Sequence, residues 1–217
     1  MKYCFSKFMN LFFIIVFVVF VQSCAKESKI NIYDFVPNST SDINALNEDG
    51  ASVLMYACRL GYLDEVEKLL KEGAKIDLIS KEDMTALDYA CISGNSEIVE
   101  IVAKHGGDVN RVNFGDMTPL ILMCINNNYE IVQTLIKNGA KVNHRDSNDD
   151  TALIYAVRNR CYKIAKLLIK NNAKITYANK DGQTALDIAK NMNDKKMVKI
   201  LTKYVGSKAR FAQGLDS

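Results

Sequence analysis

The sequence repeats itself every 33 residues, and this period restricts the fold to a series of similar units. Five leucines recur at this spacing, and a serine or threonine stands two positions before each of them. These residues are Leu54, Leu87, Leu120, Leu153 and Leu186, preceded by Ser52, Thr85, Thr118, Thr151 and Thr184. A hydroxyl oxygen can accept the hydrogen bond of an otherwise unpaired amide at a helix start. The period therefore predicts five helix starts.

A second helix is predicted in each period. Two apolar residues three positions apart mark one helical face, and a residue that tolerates the left-handed conformation follows in the first four units. The apolar pairs are Val66 and Leu69, Val99 and Val102, Val132 and Leu135, Ala165 and Leu168, and Val198 and Leu201; the stops are Gly73, Gly106, Gly139 and Asn172. Pro119 directly follows Thr118, which suits a first helical turn. A short extended step and a polar turn, as at Ile43 and Asn44, link the units.

Four segments carry a family resemblance. TALDYA at 85–90, TPLILM at 118–123, TALIYA at 151–156 and TALDIA at 184–189 resemble the ankyrin signature TPLHxA. The resemblance implies an all-α repeat solenoid of five ankyrin-type repeats, each a β-turn plus two antiparallel helices. It covers residues 42–205, divided at about 42–74, 75–107, 108–140, 141–173 and 174–205.

The signature histidine is absent from all five units, so its hydrogen bond to the threonine cannot form. Its place is taken by Met55, Asp88, Ile121, Ile154 and Asp187. We expect the two aspartates to substitute for it. The fifth unit carries Lys190, Thr202 and Val205 where the others have small, apolar and glycine residues, which favours a solvent-facing end. Residues 206–217 are then expected to be a loosely attached tail.

Residues 1–23 have the order of a secretory signal peptide, with lysines before an apolar run. That run is shorter than the roughly 20 residues of a membrane-spanning helix. Residues 21–24, VQSC, resemble the lipobox of bacterial lipoproteins, from which Gln22 departs. The resemblance implies an acyl chain such as palmitate on Cys24, and Ala25 implies retention at the outer membrane of the cell envelope. Ordinary signal cleavage and an uncleaved anchor remain alternatives.

Residues 24–41 would comprise the lipidated cysteine and a polar tether. If flexible, a chain of this length spans about 20 to 25 Å. Ile30, Ile32, Tyr33 and Phe35 offer another possibility, because they could fold back as an N-terminal cap on the repeats. The sequence leaves both interpretations open.

The charges are interspersed and almost balanced. The 28 basic and 25 acidic residues give a formal net charge of +3, and five like charges never occur in a row. This pattern argues against a nucleic-acid partner. His105 and His144 belong to no metal-binding motif, and nucleotide-binding and hydrolase motifs are missing. We therefore predict no catalytic residue, no cofactor and no metal, and expect a monomer.

Cys58, Cys91 and Cys124 are 33 residues apart and occupy one equivalent point of the first helix. They predict a ladder of small buried residues. Neighbouring repeats pack about 8 to 10 Å apart, whereas disulfide Cα atoms need about 4.4 to 6.8 Å, so bridges are not expected. Cys161 lies in the fourth turn between helices, where we expect it to be exposed. An envelope enzyme or thiol-redox protein that uses Cys161, or an unrecognised carboxylate site, is thus an alternative function.

The ankyrin resemblance places protein-binding contacts on the turn tips and on the exposed sides of the first helices. Apolar residues at such positions predict a partner-binding patch. The candidates are Met84, Ile92, Phe114, Met117 and Ile125, flanked by Lys81, Glu82, Asn126, Asp150 and Arg158. Alternatively, some of these side chains lie inside the stack. The sequence predicts a non-enzymatic protein that binds an unknown protein or peptide, and a purely structural spacer is another possibility.

Overall fold

A computed structural model describes residues 31–36 and 42–212, without the side chains of Phe114 and of residues 205–212. Within these ranges ten α-helices form five pairs. The pairs are α1 (Val53–Leu60) with α2 (Leu63–Lys71), α3 (Ala86–Ser93) with α4 (Ser96–Lys104), α5 (Pro119–Ile125) with α6 (Tyr129–Lys137), α7 (Ala152–Arg158) with α8 (Tyr162–Lys170), and α9 (Ala185–Asn191) with α10 (Lys195–Ala212). The predicted all-α repeat fold is therefore confirmed. The predicted signal peptide and Cys24 lie outside the described residues.

The chain divides into two compact units, Met1–Asp108 and Val109–Ser217. In the first unit α1 packs against α3, and α2 packs against α4. In the second unit α7 packs against both α5 and α9, and α8 packs against both α6 and α10. Within each unit the first helices thus form one layer and the second helices form another. None of the described helices is long and apolar enough to cross a membrane.

All five predicted hydroxyl caps are confirmed. Each side-chain oxygen accepts a hydrogen bond from the amide three residues later, at 3.2 to 3.4 Å. In the second repeat a carboxylate oxygen of Asp88 also accepts from the Thr85 amide and hydroxyl, both at 2.8 Å. Asp187 does the same for Thr184, at 3.0 and 2.6 Å. The aspartates therefore make the reciprocal bonds expected of them in place of histidine.

Each helix pair is preceded by a hairpin, not by an extended step. Ile43 and Asn44 lie in a turn, so the extended conformation predicted there is wrong. The turn brings the Asn44 side chain to the next repeat, where its oxygen accepts from the Lys75 amide at 2.7 Å. This hydrogen bond stabilises the turn over an extended conformation. In the second unit, the Asn110 side-chain oxygen accepts from the Lys141 amide and the Asn143 side-chain oxygen accepts from the Lys174 amide, both at 2.7 Å.

The hairpins of neighbouring repeats are also joined near their tips. In the first unit the Lys81 amide donates to the Asp49 carbonyl at 2.9 Å. In the second unit the Ser147 amide donates to the Gly115 carbonyl at 2.9 Å. Each hairpin within a unit is therefore tied to the next at its base and near its tip.

A short 3-10 helix, Ile32–Phe35, precedes the first repeat and packs against α1. The side chains of Ile32 and Val36 are buried, which removes apolar surface from water at the start of the first unit. The sequence left open whether this region is a tether or an N-terminal cap, and residues 31–36 form the cap. The tether predicted for residues 24–41 is wrong for that part of the segment.

The cap has aromatic and polar contacts with both helices of the first pair. The Phe35 ring stacks on the Tyr56 ring of α1, with centroids 5.1 Å apart. The Tyr33 hydroxyl donates to the Glu65 carboxylate of α2, and this hydrogen bond is the main cause that lowers the pKa of Glu65. Lys68 lies 3.1 Å from the same carboxylate oxygen. These contacts hold the segment in one place.

The last helix is longer than predicted. α10 continues to Ala212, so residues 206–212 are helical, while their loose attachment stays a prediction. In the first four repeats a left-handed glycine or asparagine follows the second helix, with φ between 66° and 103°. Val205 takes this place in the fifth repeat. A β-branched residue avoids the left-handed region, so the chain lacks the stop signal and the helix goes on.

Candidate functional site

In three repeats a tyrosine of the first helix is hydrogen bonded to the hairpin nine residues earlier. The Asn47 amide group donates to the Tyr56 hydroxyl at 3.0 Å, and the Tyr155 hydroxyl donates to the Asp146 carboxylate at 2.6 Å. The Tyr89 hydroxyl lies 3.4 Å from the Ser80 hydroxyl, and burial raises the pKa of Tyr89 to about 12. These bonds fix the hairpins, where ankyrin-type binding is expected, onto the helices behind them.

The fourth repeat has the densest polar network. The first carboxylate oxygen of Asp146 accepts from the amides of Asn148 and Asp150 at 2.8 and 2.9 Å. Asp150 is itself buried, forms an ion pair with Arg158 and accepts from the Asn179 side-chain amide at 3.0 Å. The fourth hairpin is therefore tied to its own helix and to the fifth hairpin.

The rim of this network carries a cation and an aromatic ring. The Arg145 guanidinium donates to the Ala178 carbonyl at 2.9 Å and lies 3.3 Å from the Asp149 carboxylate. Its central carbon is 5.5 Å from the centroid of the Tyr177 ring, a distance at which cation–π attraction operates. Tyr177 remains 37% exposed. The rim thus presents an ordered aromatic side chain to solvent.

Four predicted binding residues belong to the first unit. Lys81 and Glu82 are exposed, and the Glu82 carboxylate lies 3.3 Å from the Tyr89 hydroxyl. Ile92 is half-buried. Met84 is buried, with 6% exposure, so its assignment as a surface contact is wrong. Its position directly precedes the Thr85 cap and faces inward under the hairpin.

The other candidates belong to the second unit. Met117 and Ile125 are half-buried, and Asn126 is exposed. Phe114 begins the short 3-10 turn Phe114–Asp116, and its side chain lies outside the described part of the molecule.

Asp150 and Arg158 are the candidates that the structure brings into direct contact. Asp150 is not available to a partner, because its side chain is 3% exposed and both of its oxygens accept hydrogen bonds. Its interpretation as a surface contact is therefore wrong. Arg158 is half-buried and its guanidinium lies 5.7 Å from the Tyr155 ring centroid. This cation keeps a solvent-facing side while it neutralises Asp150.

Sequence reasoning missed one set of exposed apolar side chains. Leu46 and Ile79 of the first unit are 45% and 50% exposed, and Val112 of the second unit is 40% exposed. They occupy the same hairpin position, since they are 33 residues apart. The signal was present in the sequence, because an apolar residue stands at this position in three consecutive repeats. In the first two it directly precedes a side chain that bonds the hairpin, Asn47 or Ser80.

The cysteine ladder is buried as predicted. Cys58, Cys91 and Cys124 are buried free thiols, and burial raises the pKa of each. Cys161 is buried as well, with 4% exposure, so the prediction that its thiol is exposed is wrong. Its sulfur lies 3.8 Å from the Cys124 carbonyl oxygen, and burial raises its pKa. A reactive thiol needs the opposite shift, because the thiolate is the nucleophile.

Cys161 occupies a capping position, which leads to a stability prediction. It precedes α8 without a side-chain cap bond, whereas Asn128 accepts from the Ile131 amide at the equivalent position before α6. Cys161→Ser should supply this acceptor and raise the free energy of unfolding by about 0.5 to 1 kcal/mol. Urea unfolding followed by circular dichroism measures the change. Cys124→Ser is the control and should be destabilising, since it places a hydroxyl in the core. A loss of stability in Cys161→Ser would contradict the capping assignment.

The described residues contain no group of three or more histidine, cysteine or acidic side chains able to hold a metal ion.

Comparison with protein families finds a match to the model described as ankyrin repeats (3 copies), over residues 22–113 and 112–179. Curated protein sequences give no significant match. Ankyrin repeats generally mediate binding to protein partners and are typically not enzymatic. With most of its length matched by that model and its helices in pairs, the chain belongs to the ankyrin repeat family.

Proposed function

We propose that this protein is a non-enzymatic binding module of the bacterial envelope, held at a membrane by a lipid on Cys24. Its partner is a protein or a peptide, which contacts the hairpins and the exposed sides of the first helices. The observation that carries the binding role is the exposure of Leu46, Ile79 and Val112 at one repeat position. An apolar side chain that is exposed at the same position in several consecutive repeats is the type of contact that a partner can bury.

The two hairpins of the first unit are held by hydrogen bonds in the absence of a partner. In the first unit the Asn47 oxygen accepts from the amides of Asp49 and Ala51, both at 2.9 Å. The Lys81 amide joins the first hairpin to the second, as described above. A partner would therefore lose little binding free energy to the ordering of these loops. This preorganisation supports a binding role over that of a spacer.

The hairpin residues of the first unit give a direct test. Leu46→Ser together with Ile79→Ser removes two exposed apolar side chains while the buried core stays intact. If these are central contacts, we expect partner affinity to fall at least about tenfold, since such anchors contribute more than about 1 kcal/mol each. The measurement is capture from envelope extracts, followed by titration of the identified partner.

The matched control is Lys71→Ser together with Glu72→Ser, which removes two exposed side chains of the same unit at the C-terminal end of α2, outside the hairpins. It should retain the partner. Equal retention by wild type and by both variants would overturn the hairpin assignment. A protein that captures nothing in any form would instead favour the spacer.

The lipid anchor rests on the lipobox resemblance of residues 21–24. An acyl chain at this cysteine would hold the protein in the envelope, and Ala25 favours the outer membrane. Metabolic labelling with a fatty-acid analogue tests it in the producing cell, with Cys24→Ser as the variant. Label on the wild type and none on Cys24→Ser is the expected result. An unlabelled wild type that is still exported would refute acylation and leave the hairpin proposal untouched.

A further inference from the structure

The second helices of the last two repeats carry an unusual concentration of positive charge. α8 contains three lysines and α10 begins with two more, and neither helix contains an acidic residue. Six lysines on these helices are exposed and occupy equivalent places in the two repeats, 33 residues apart. This lysine face consists of Lys163, Lys166 and Lys170 on α8 and Lys196, Lys199 and Lys203 on α10.

At two of the three positions of this face, the earlier repeats carry acidic or neutral residues, whereas the third position is a lysine in all five repeats. Lys163 and Lys196 stand where repeats one to three carry Asp64, Glu97 and Glu130. Lys166 and Lys199 stand where the first three repeats carry Glu67, Glu100 and Gln133. The fold does not require lysine at either place, because it accommodates acidic side chains there in the other repeats.

This exchange removes the ion pairs that neutralise the second helices. Lys104 lies 2.8 Å from Glu100, four residues earlier, and Lys71 lies 3.6 Å from Glu67 in the same way. In the fourth repeat the equivalent of Glu100 is Lys166, so Lys170 faces a like charge at that spacing. Like charges four residues apart destabilise a helix. A face that carries this cost in two successive repeats points to a counter-charge outside the molecule.

Adjacent helices bring the two rows of lysines together. α8 and α10 pack against each other, and packed helices lie about 8 to 10 Å apart. That separation is close to one Debye length at an ionic strength of about 0.1 M, so the ammonium groups act on an approaching surface together. The lysine face is therefore a broad patch of positive potential.

The chemistry of the face favours a diffuse anionic surface over a specific macromolecule. No apolar side chain of Tyr162–Lys170 or of residues 195–204 is fully exposed, so a protein partner finds no anchor of the usual kind. One aromatic ring on these helices, that of Tyr162, is already covered on one side, since the Lys196 ammonium lies 4.2 Å from its centroid and occupies the face on which a base would stack. The lysines are compact, strongly hydrated charges, which suit phosphate headgroups better than bidentate recognition.

We propose that the lysine face docks on a membrane surface rich in anionic phospholipids. The inference goes beyond partner binding by the hairpins, because it concerns different helices and a different kind of occupant. It also does not depend on the acyl chain, since the charges act through the folded second unit.

Vesicle sedimentation with the full chain tests the proposal. The probes are vesicles of phosphatidylcholine alone and of phosphatidylcholine mixed with phosphatidylglycerol, over a series of salt concentrations. The patch variant is Lys163→Glu with Lys166→Glu and Lys199→Glu, which introduces residue types that the earlier repeats already carry. The control is Lys75→Glu with Lys141→Glu and Lys180→Glu, three exposed lysines outside the face, so both variants change the net charge equally.

Wild type and control should bind the anionic vesicles, and salt should weaken this binding. The patch variant should bind them about a hundredfold more weakly, which corresponds to about 1 kcal/mol for each lysine removed. All three chains share one N-terminal sequence, so its contribution to vesicle binding is the same. Thermal melts check that both variants are folded.

Equal binding by wild type and patch variant would overturn the proposal, and so would an equal loss in patch variant and control. A third contrary result is loss of binding to duplex DNA in the patch variant while its vesicle binding stays at the wild-type level. That outcome would assign the face to nucleic acid.

Discussion

Leu120→Ala is expected to lower the free energy of unfolding by about 2 to 5 kcal/mol, because it leaves a cavity in the core of the second unit. Leu120 is 1% exposed, and its side chain belongs to the buried face of α5. Urea unfolding of the full chain, followed by circular dichroism, measures the loss. Such a change is large beside the marginal stability of most domains.

The repeat itself supplies the control. Leu186→Ala makes the same chemical change at the equivalent position of the fifth repeat, where the leucine is half-buried. It should cost clearly less, since less apolar surface is removed from the interior. An unchanged unfolding midpoint in Leu120→Ala, or equal losses in the two variants, would contradict the observed burial.

Asp146→Ala should be the next most damaging substitution, at about 2 to 4 kcal/mol. The Asp146 carboxylate is buried and accepts three hydrogen bonds, from the amides of Asn148 and Asp150 and from the Tyr155 hydroxyl. Removal of the acceptor leaves the buried Asp150 amide and two partly buried donors without this partner, and a buried group that loses its partner costs about 1 to 3 kcal/mol. Thermal and urea unfolding report the loss, and circular dichroism shows whether α7 survives.

Asp146→Asn separates the hydrogen bonds from the charge. Asn47, at the equivalent position of the first hairpin, accepts two backbone amides and donates to the Tyr56 hydroxyl. Asparagine at position 146 can therefore form the same bonds with the direction of the tyrosine bond reversed. We expect it to keep most of the stability. A loss as large as that of Asp146→Ala would show that the negative charge, not the acceptor geometry, stabilises the hairpin.

Much of the fold could be predicted from the sequence because its signals are local. A hydroxyl cap, a first-turn proline or a left-handed glycine acts within a few residues, and the period of 33 repeats the cap in all five repeats and the glycine in the first three. Thr118 and Pro119 are examples, since the cap and the helix start lie where the sequence places them. The extension of α10 beyond residue 205 has the same cause in reverse, because Val205 supplies no local stop.

The candidate site was harder to predict because exposure depends on the neighbouring repeat. Met84 and Asp150 occupy one position of the period, directly before the cap, and both are buried under hairpins. Nothing in a single unit reveals this, since Asp150 is covered through its bond to Asn179 of the following repeat. Leu46 and Ile79 are the opposite case. Apolar residues are usually assigned to the core from the sequence alone, but the hairpin leaves these two side chains exposed.

If Cys24 is acylated as proposed, the folded cap also limits the distance between the folded body and the bilayer. With residues 31–36 packed on the first repeat, acylation at Cys24 would leave residues 25–30 as the linker between the lipid and the folded body. Six residues reach at most about 22 Å when fully extended. A molecule anchored in this way searches a thin layer next to the membrane, so the partners that it meets are those that lie in, or protrude only slightly from, the same leaflet.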